Sequence, residues 1–350
     1  MDQTVHPFNH STMKKLNSIL VASDFSRGSD HATEFALKLA EQYNSKIDLL
    51  HVLSPIGESR IPQVRDRDEK VKAQILKHAE NRLEKVHEQI EEKYRGSCVV
   101  RSERKASDAI IKRAEEKKGG YDLIILGTKG EHDSRFSRGD TAIRVIRQAK
   151  TSVLTVGPEL VENGLNRIVV PTDGSELSLK AVPYAGRLAA IFGAEITLLN
   201  VVHMHGSFMA YHNSLISAID KNKVYGELIN RIIDYLRHAD NEITLQRTGE
   251  NFEDILLVDD FDEEKKVSVH TVIESGYSVH YEIIEYAEEK GDLVVMATHG
   301  YSALKQMMLG SNAEKVVRNL NKSVLTIRPA AKDFDKAVSG RNKFVSWDPL

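Results

Sequence analysis

The sequence of 350 residues predicts an α/β fold: two tandem, doubly wound domains, each built on a five-stranded parallel sheet. Three observations carry this. Short apolar runs rich in Val, Ile and Leu alternate with stretches of helical period, the pattern of parallel strands joined by crossover helices. The runs are continuously apolar rather than alternating, as strands covered on both faces are. The whole succession then occurs twice.

The repeat is legible residue by residue. Ile19-Leu20-Val21-Ala22-Ser23-Asp24-Phe25-Ser26 resembles Ile168-Val169-Val170-Pro171-Thr172-Asp173-Gly174-Ser175. At the same spacing, Leu49-Leu50-His51-Val52 matches Leu198-Leu199-Asn200-Val201. Further on, Leu123 to Gly130 matches Leu293 to Gly300, and Val153 to Val156 matches Val324 to Ile327. The second copy is longer by roughly twenty residues, added between its second and fourth strands. Predicted strands are 18–23, 46–53, 98–104, 122–127 and 152–156 in copy one, and 167–172, 195–202, 267–273, 292–297 and 323–327 in copy two. Helical patterns include Asp30 to Tyr43 and Leu177 to Phe192, with Ser26 and Ser175 placed as N-caps. The organisation read from this is a polar arm (1–17), a first domain (18–157), a linker (158–166), a second domain (167–329, with an insertion at about 204–266) and a polar tail (330–350).

Composition bounds the function. With 41% hydrophobic residues and a mean hydropathy of −0.35, the chain can fill two cores and stay soluble. A net charge of −3 makes no electrostatic case for nucleic acid or an anionic membrane. Cys98 is the only cysteine, so an intrachain disulfide is excluded and nothing points to an oxidising compartment. Met1 to Lys15 is polar and lacks the apolar region of a signal peptide, and no apolar run approaches a membrane span. The expectation is a cytoplasmic protein.

In an open parallel sheet, ligands sit beyond the carboxyl ends of the strands. Three segments of copy two end there: Pro171-Thr172-Asp173-Gly174-Ser175, Asn200-Val201-Val202, and Ala297-Thr298-His299-Gly300 followed, after nine residues, by Gly310-Ser311-Asn312. Glycines let the backbone approach an anion, and a helix opening at Gly310-Ser311 offers free N–H groups and a favourable dipole to phosphate. No Walker A sequence is present. A Gly-rich turn before a helix is also an ordinary structural device.

On these residues the chain resembles the universal stress protein family, in its tandem two-domain form. The strand-one aspartate, the strand-two valine and a strand-four loop, which in the family's ATP-binding members has the pattern G-x2-G-x9-G-[ST], occur in order, twice, with departures from that pattern in each copy. The resemblance implies an adenine nucleotide alpha hydrolase-like fold, with the two copies packed through their last strands as an intrachain pseudo-dimer. It implies an ATP site in copy two at Pro171, Thr172, Asp173, Val201, Ala297, Thr298, His299, Gly300, Gly310, Ser311 and Asn312. Asp173 would accept from the ribose, Val201 would offer backbone groups to adenine, and Gly300, Gly310, Ser311 and Asn312 would cradle phosphates. Mg²⁺ would be held mainly by the phosphates. Ala297 stands where the pattern has its first glycine, and alanine forbids a freely positive φ.

Copy one departs further. Asp24, Val52, Gly127 and Gly130 are present, but eight residues separate Gly130 from Gly139, and Asp140 replaces Ser or Thr. A carboxylate there would satisfy the helix N–H groups and repel phosphate, so Asp140 reads as an internal phosphate mimic in a degenerate site. An alternative register aligns Asp140-Thr141 with the Gly-Ser/Thr position and leaves the aspartate at the anion site.

Weaker signals complete the reading. His203, His205 and His212 could ligate a metal, but such histidines are more often exposed bystanders, and no metal site is assigned. His299 could serve as a general base, yet loop amides suffice for binding, and no catalytic residue is assigned. Cys98 opens a predicted strand and reads as a small buried apolar residue. The acidic run Asp259 to Glu264 reads as a solvated loop or helix start. The insertion contains an amphipathic stretch, Val224 to Leu236, suited to lid the pocket or to form a partner surface. The expected function is a stress-response regulator that binds ATP without efficient catalysis and acts through a regulatory protein partner, as a monomeric pseudo-dimer or a homodimer. A scaffold that binds no nucleotide and a weak ATPase are the alternatives.

Overall fold

Strands β1 (Ser18–Ser23), β2 (Lys46–Leu53), β3 (Arg95–Ser102), β4 (Leu123–Gly127) and β5 (Ser152–Val156) form a parallel sheet in the order β3-β2-β1-β4-β5. The computed structural model describes residues 16–54, 62–128, 139–204, 220–260, 263–298 and 309–328. The chain divides into two compact units at residues 163 and 164. The polar arm through residue 15 and the tail from residue 330 lie outside the described residues.

In the first unit, β4 and β5 are buried along nearly their whole length, so both faces are covered and the continuous apolar runs are explained. Helix α1 (Arg27–Tyr43) buries Ala32, Phe35, Ala36, Leu39 and Ala40, spaced to form one stripe. Ser26 caps it by accepting from the Ser29 amide, and Asn44 ends it in the left-handed conformation at φ 54°. Helices α2 (Pro62–Glu88), α3 (Ala106–Glu116), α4 (Asp140–Gln148) and α5 (Pro158–Glu162) follow. The predicted linker thus contains a short helix, which packs on α1 and pairs Glu162 with Arg27 at 2.7 Å. Strand β3 starts earlier than predicted because a buried carboxylate reaches it from β2. Asp48 Oδ1 accepts from the Ser97 amide at 2.8 Å, and its other oxygen accepts from Tyr121, Lys117 and Arg113. A Cβ on Gly96 would stand 2.0 Å from Asp48 Oδ1, so glycine is required there. Burial alone would raise the Asp48 carboxyl, but the bonds from Tyr121, Ser97 and Lys117 outweigh it and hold the group below its ordinary value.

In the second unit, β6 (Arg167–Pro171), β7 (Glu195–His203), β10 (Glu263–Gly276), β11 (Leu293–Ala297) and β12 (Ser323–Ile327) form the parallel core. An antiparallel hairpin, β8 (Ile243–Glu250) and β9 (Glu253–Asp260), extends it to the order β12-β11-β6-β7-β10-β9-β8. The predicted five parallel strands are therefore joined by two more. The described part of the acidic run lies in β9 and β10, with Asp260 opposite Glu263, rather than in a loop or helix start. Strand β10 outruns its predicted limits because its first half pairs with β9 and its second half with β7. Asn251 and Phe252, at φ 47° and 59°, make the two-residue turn that matches strand twist.

The helices here are α6 (Glu176–Leu179), α7 (Ala181–Phe192), α8 (Lys221–Ala239), α9 (Val279–Lys290) and α10 (Ser311–Asn319). The helix predicted from 177 to 192 breaks at Lys180. Pro183 has no N–H for the Leu179 carbonyl, and its ring crowds that oxygen. Gly186 lets α7 lie close to β9, since a Cβ would meet Leu256 Cδ2 at 2.7 Å. The next residue, fully buried Arg187, donates to both oxygens of Asp240, at 2.7 and 3.2 Å, and to Glu242 at 2.9 Å. This bidentate pair ties the end of α8 and the start of the hairpin to α7. Tyr225 on α8 donates to Asp254 on β9 at 2.9 Å, and its ring lies tilted against Phe252, centroids 4.8 Å apart. Among the described residues no helix is long and apolar enough to cross a membrane.

Arg187→Met, which leaves Asp240 buried without its cation, is expected to destabilise the second unit by roughly 3–5 kcal/mol, read from urea unfolding. The double variant Arg187→Met/Asp240→Leu should recover most of that loss. Because the Asp48 pKa lies below its ordinary 3.8, its stabilisation is complete above that value and vanishes as pH falls through the depressed pKa. Unfolding measured from neutral to acidic pH should show this drop in the wild type and a flatter profile in Asp48→Asn.

Candidate functional site

In the second unit the turn after β6 is built by its own side chains. Thr172 Oγ1 accepts from the Gly174 amide at 3.1 Å, Asp173 Oδ1 accepts from the Ser175 amide at 3.0 Å, and Ser175 caps α6 by accepting from the Ser178 amide. Gly174 sits at φ 71°, where an L side chain is strained. The Thr172 carbonyl accepts from the Asn200 amide side chain at 2.9 Å, which couples the ends of β6 and β7. Asp173 is exposed at the tip of this turn.

The second component is the start of α10. The Thr298 amide donates to the Ile327 carbonyl, and the Gly310 amide donates to the Thr298 carbonyl at 2.8 Å, bringing Gly310 back to the end of β11. Gly310 is the N-cap and supplies no side-chain hydrogen bond, so among the described residues no side chain caps the first-turn amides. Ser311 and Asn312 are exposed there.

These pieces meet at a cavity of about 240 Å³. Leu199, Val201, Met296, Val279 and Ile283 give it apolar lining, while Thr172, Asp173, Ser311 and Asn312 give it polar groups. The structure thus brings together Pro171, Thr172, Asp173, Val201, Ala297, Gly310, Ser311 and Asn312. Thr298 is buried at 1% exposure and serves as a backbone link rather than a lining residue. His299 and Gly300 lie outside the described residues, as do His205 and His212. Val279 and Ile283 on α9 were not read as site residues, although their spacing of four marks one helix face. Leu228 and Arg231 of α8 come within 3.5 Å of the point a Gly174 Cβ would occupy, so the insertion borders the strand-one turn. The residues present suit an adenine nucleotide: apolar surface for a base, a carboxylate for hydroxyls, and uncapped amides for phosphate. A wider groove of about 690 Å³, lined by Arg167, Glu195, Lys265 and Lys266, opens at the amino ends of β6 and β7, the wrong end for strand-end loops.

Ala297 lies in the β11 ladder opposite Ile327, outside the positive-φ residues. The constraint expected from losing that glycine does not arise. In the first unit Gly127 has a different reason: a Cβ there would meet the Gly28 carbonyl carbon at 2.6 Å. Leu177 replaces Gly28 in the second copy, so this close approach is local to the first.

The first unit repeats the turn, with Ser23, Asp24 and Ser26 in the same roles. Phe25 occupies the place of Gly174 and takes the same positive φ, 62°. Its ring stacks on His51 at 4.2 Å, and the Arg82 guanidinium of α2 lies 4.4 Å from its centroid. His51 Nδ1 donates to the Ser23 carbonyl at 2.7 Å, and burial pulls the imidazole below its ordinary range. Half-buried Val52 follows on β2. Gly139 repeats the Gly310 geometry, its amide on the Thr128 carbonyl at 3.0 Å, so Gly139 corresponds to Gly310 and Asp140 to Ser311. The alternative register built on Asp140-Thr141 is not the one these bonds share. Asp140 and Thr141 are exposed in the first turn of α4, and Asp140 makes no hydrogen bond to the amides there. Its effect on that end is one of charge, not of capping. Gly130 lies outside the described residues.

Comparison with known proteins places this architecture. A family model described as the universal stress protein family matches residues 15–157 and again 164–328. A universal stress protein of Methanocaldococcus jannaschii is 32% identical over 178 residues, which are 50% of this chain and 90% of the relative. The universal stress protein YxiE of Bacillus subtilis is 33% identical over 166 residues, 47% of this chain and 99% of the relative. The crystal structure of a universal stress protein from Archaeoglobus fulgidus has a TM-score of 0.53 at 20% identity, covering 90% of this chain and 99% of that one, a likeness of fold alone. With two successive matches spanning both units, the chain belongs to the universal stress protein family, in tandem form.

Proposed function

We propose that this chain is a cytoplasmic stress-response regulator that binds one ATP, in its second unit, and does not turn it over efficiently. One observation carries the reading: Asp173 and the glycine-capped start of α10 line one cavity with apolar surface, while the equivalent turn of the first unit carries the Phe25 ring.

In this reading Leu199, Val279 and Ile283 shield the adenine from water, and the Val201 backbone supplies its polar partners. Asp173 accepts from the ribose hydroxyls while its turn bond to Ser175 holds the carboxylate in place. The amides of Ser311 and Asn312 and the Ser311 hydroxyl hold the phosphates, helped by the positive end of α10. Mg²⁺, where present, is held through the phosphates and lowers their charge. Efficient hydrolysis needs a positioned base with metal carboxylates or an arginine clamp, and the cavity lining supplies none of these among the described residues. The chain acts as a binding protein whose nucleotide state a protein partner reads.

Calorimetric titration with Mg-ATP is expected to give one site per chain. Asp173→Ala should weaken it at least tenfold, and Gly310→Asp, which adds a carboxylate at the phosphate end, should abolish it. Full affinity in both variants would remove the assignment. Multiple-turnover phosphate release dependent on His299 would overturn the non-catalytic reading.

A further inference from the structure

Glu84 and His87 stand one turn apart on α2, beside Cys98 of β3. A carboxylate oxygen, an imidazole nitrogen and the thiol sulfur of these residues all lie within 4.8 Å of one another. The orientation of the ring is informative. His87 Nε2 lies 3.2 Å from the Gly96 carbonyl oxygen, which can only accept, so Nε2 carries the proton. In the neutral ring the lone pair is then on Nδ1, which stands 3.8 Å from Glu84 Oε1. Two electron-pair donors converge beside a sulfur, and a cation among them satisfies all three at once.

We propose that Glu84, His87 and Cys98 bind one borderline-soft divalent cation, Zn²⁺ by preference, with water completing a four-coordinate shell. The donor set is of the mixed sulfur, nitrogen and oxygen type that Zn²⁺ takes, and three protein ligands leave one open position. Bond lengths of about 2.0–2.3 Å need only a modest closing of the cluster. Glu84 supplies it, because its side chain is 58% exposed and can change rotamer. The outer shell is already in place. A metal-ligating histidine ordinarily donates its other N–H to a carbonyl or carboxylate, and His87 does so to Gly96. Gly96 and Ser97 are in turn held by Asp48, through the Ser97 amide and the close approach that glycine permits.

The site gives the first unit a ligand of its own, in the copy whose strand-one turn carries Phe25. It links α2 to β3 two residues beyond Arg82, the α2 residue that lies over the Phe25 ring. Metal binding therefore stiffens the helix that covers this turn.

Cobalt(II) titration of the full chain tests the proposal, with a phosphine reductant present. Cys98 is the only cysteine, so a sulfur-to-cobalt charge-transfer band can come from nowhere else. The expected result is that band, saturating at one Co²⁺ per chain, together with d–d bands of tetrahedral intensity, and displacement by Zn²⁺. Cys98→Ser should remove the band, and His87→Gln and Glu84→Gln should each weaken Zn²⁺ binding at least tenfold in a chelator competition. Melting curves in chelator that match the wild type show that the variants are folded. The proposal is overturned by absence of the band in the wild type at saturating Co²⁺. Saturation at one Co²⁺ per two chains, or a band of undiminished affinity in both His87→Gln and Glu84→Gln, overturns it equally.

Discussion

Both units depend on one backbone constraint: the residue after the strand-one aspartate must sit at positive φ. Thr172 and Asp173, like Ser23 and Asp24, each turn a side-chain oxygen onto a nearby amide, and the chain reverses only if residue 174 or 25 is left-handed. Glycine meets this at no steric cost. Phenylalanine meets it at a cost of about 1–2 kcal/mol, which the stack on His51 and the contact with Arg82 help to offset. The same turn thus bears no side chain in one copy and a large aromatic ring in the other. The inequality of the copies begins at this position and is reinforced by Asp140 at the start of α4.

The inserted segment shows how an addition at a sheet edge is brought against the strand-one turn. Helix α8 must be held where Leu228 and Arg231 reach the Gly174 turn, and two buried polar contacts hold it. Arg187 grips Asp240 at the end of the helix, and Tyr225 grips Asp254 across the hairpin. Neither group is exposed, so each interaction is strong once made and expensive to leave half made. Gly186 allows α7 the close approach to β9 that this arrangement needs.

A buried carboxylate organises the first unit in a comparable way. Asp48 takes up Ser97, Tyr121, Lys117 and Arg113, and so fixes the beginning of β3. That strand carries the Gly96 carbonyl that orients His87 and, two residues on, Cys98. Partial burial, and then the neighbouring Glu84 carboxylate, push the Cys98 thiol up to about 12, so the unligated thiol is neutral, although Cys98 is only partly buried and not the fully buried apolar residue expected from sequence.

Much of this molecule is written locally. The repeat, the parallel strands, the caps at Ser26 and Ser175, and the placing of Asp173, Gly310 and Ser311 at strand and helix ends follow from patterns of a few residues, because period and capping are short-range properties. Phe25 in place of Gly174 was equally visible in the aligned copies, but its consequence was not, since Arg82 comes from a distant helix. The α7 break at Lys180 lies in Pro183, a local signal set within a long apolar pattern. Tertiary structure alone decided the rest. It turned the described ends of an acidic run into strands by pairing the end of β9 with the start of β10, set Ala297 in an extended ladder where glycine is unnecessary, and brought Val279 and Ile283 to the cavity. It also placed Glu84 and His87 against Cys98. Burial, pairing and donor convergence depend on residues far apart in the chain, and only the packed fold brings them within reach.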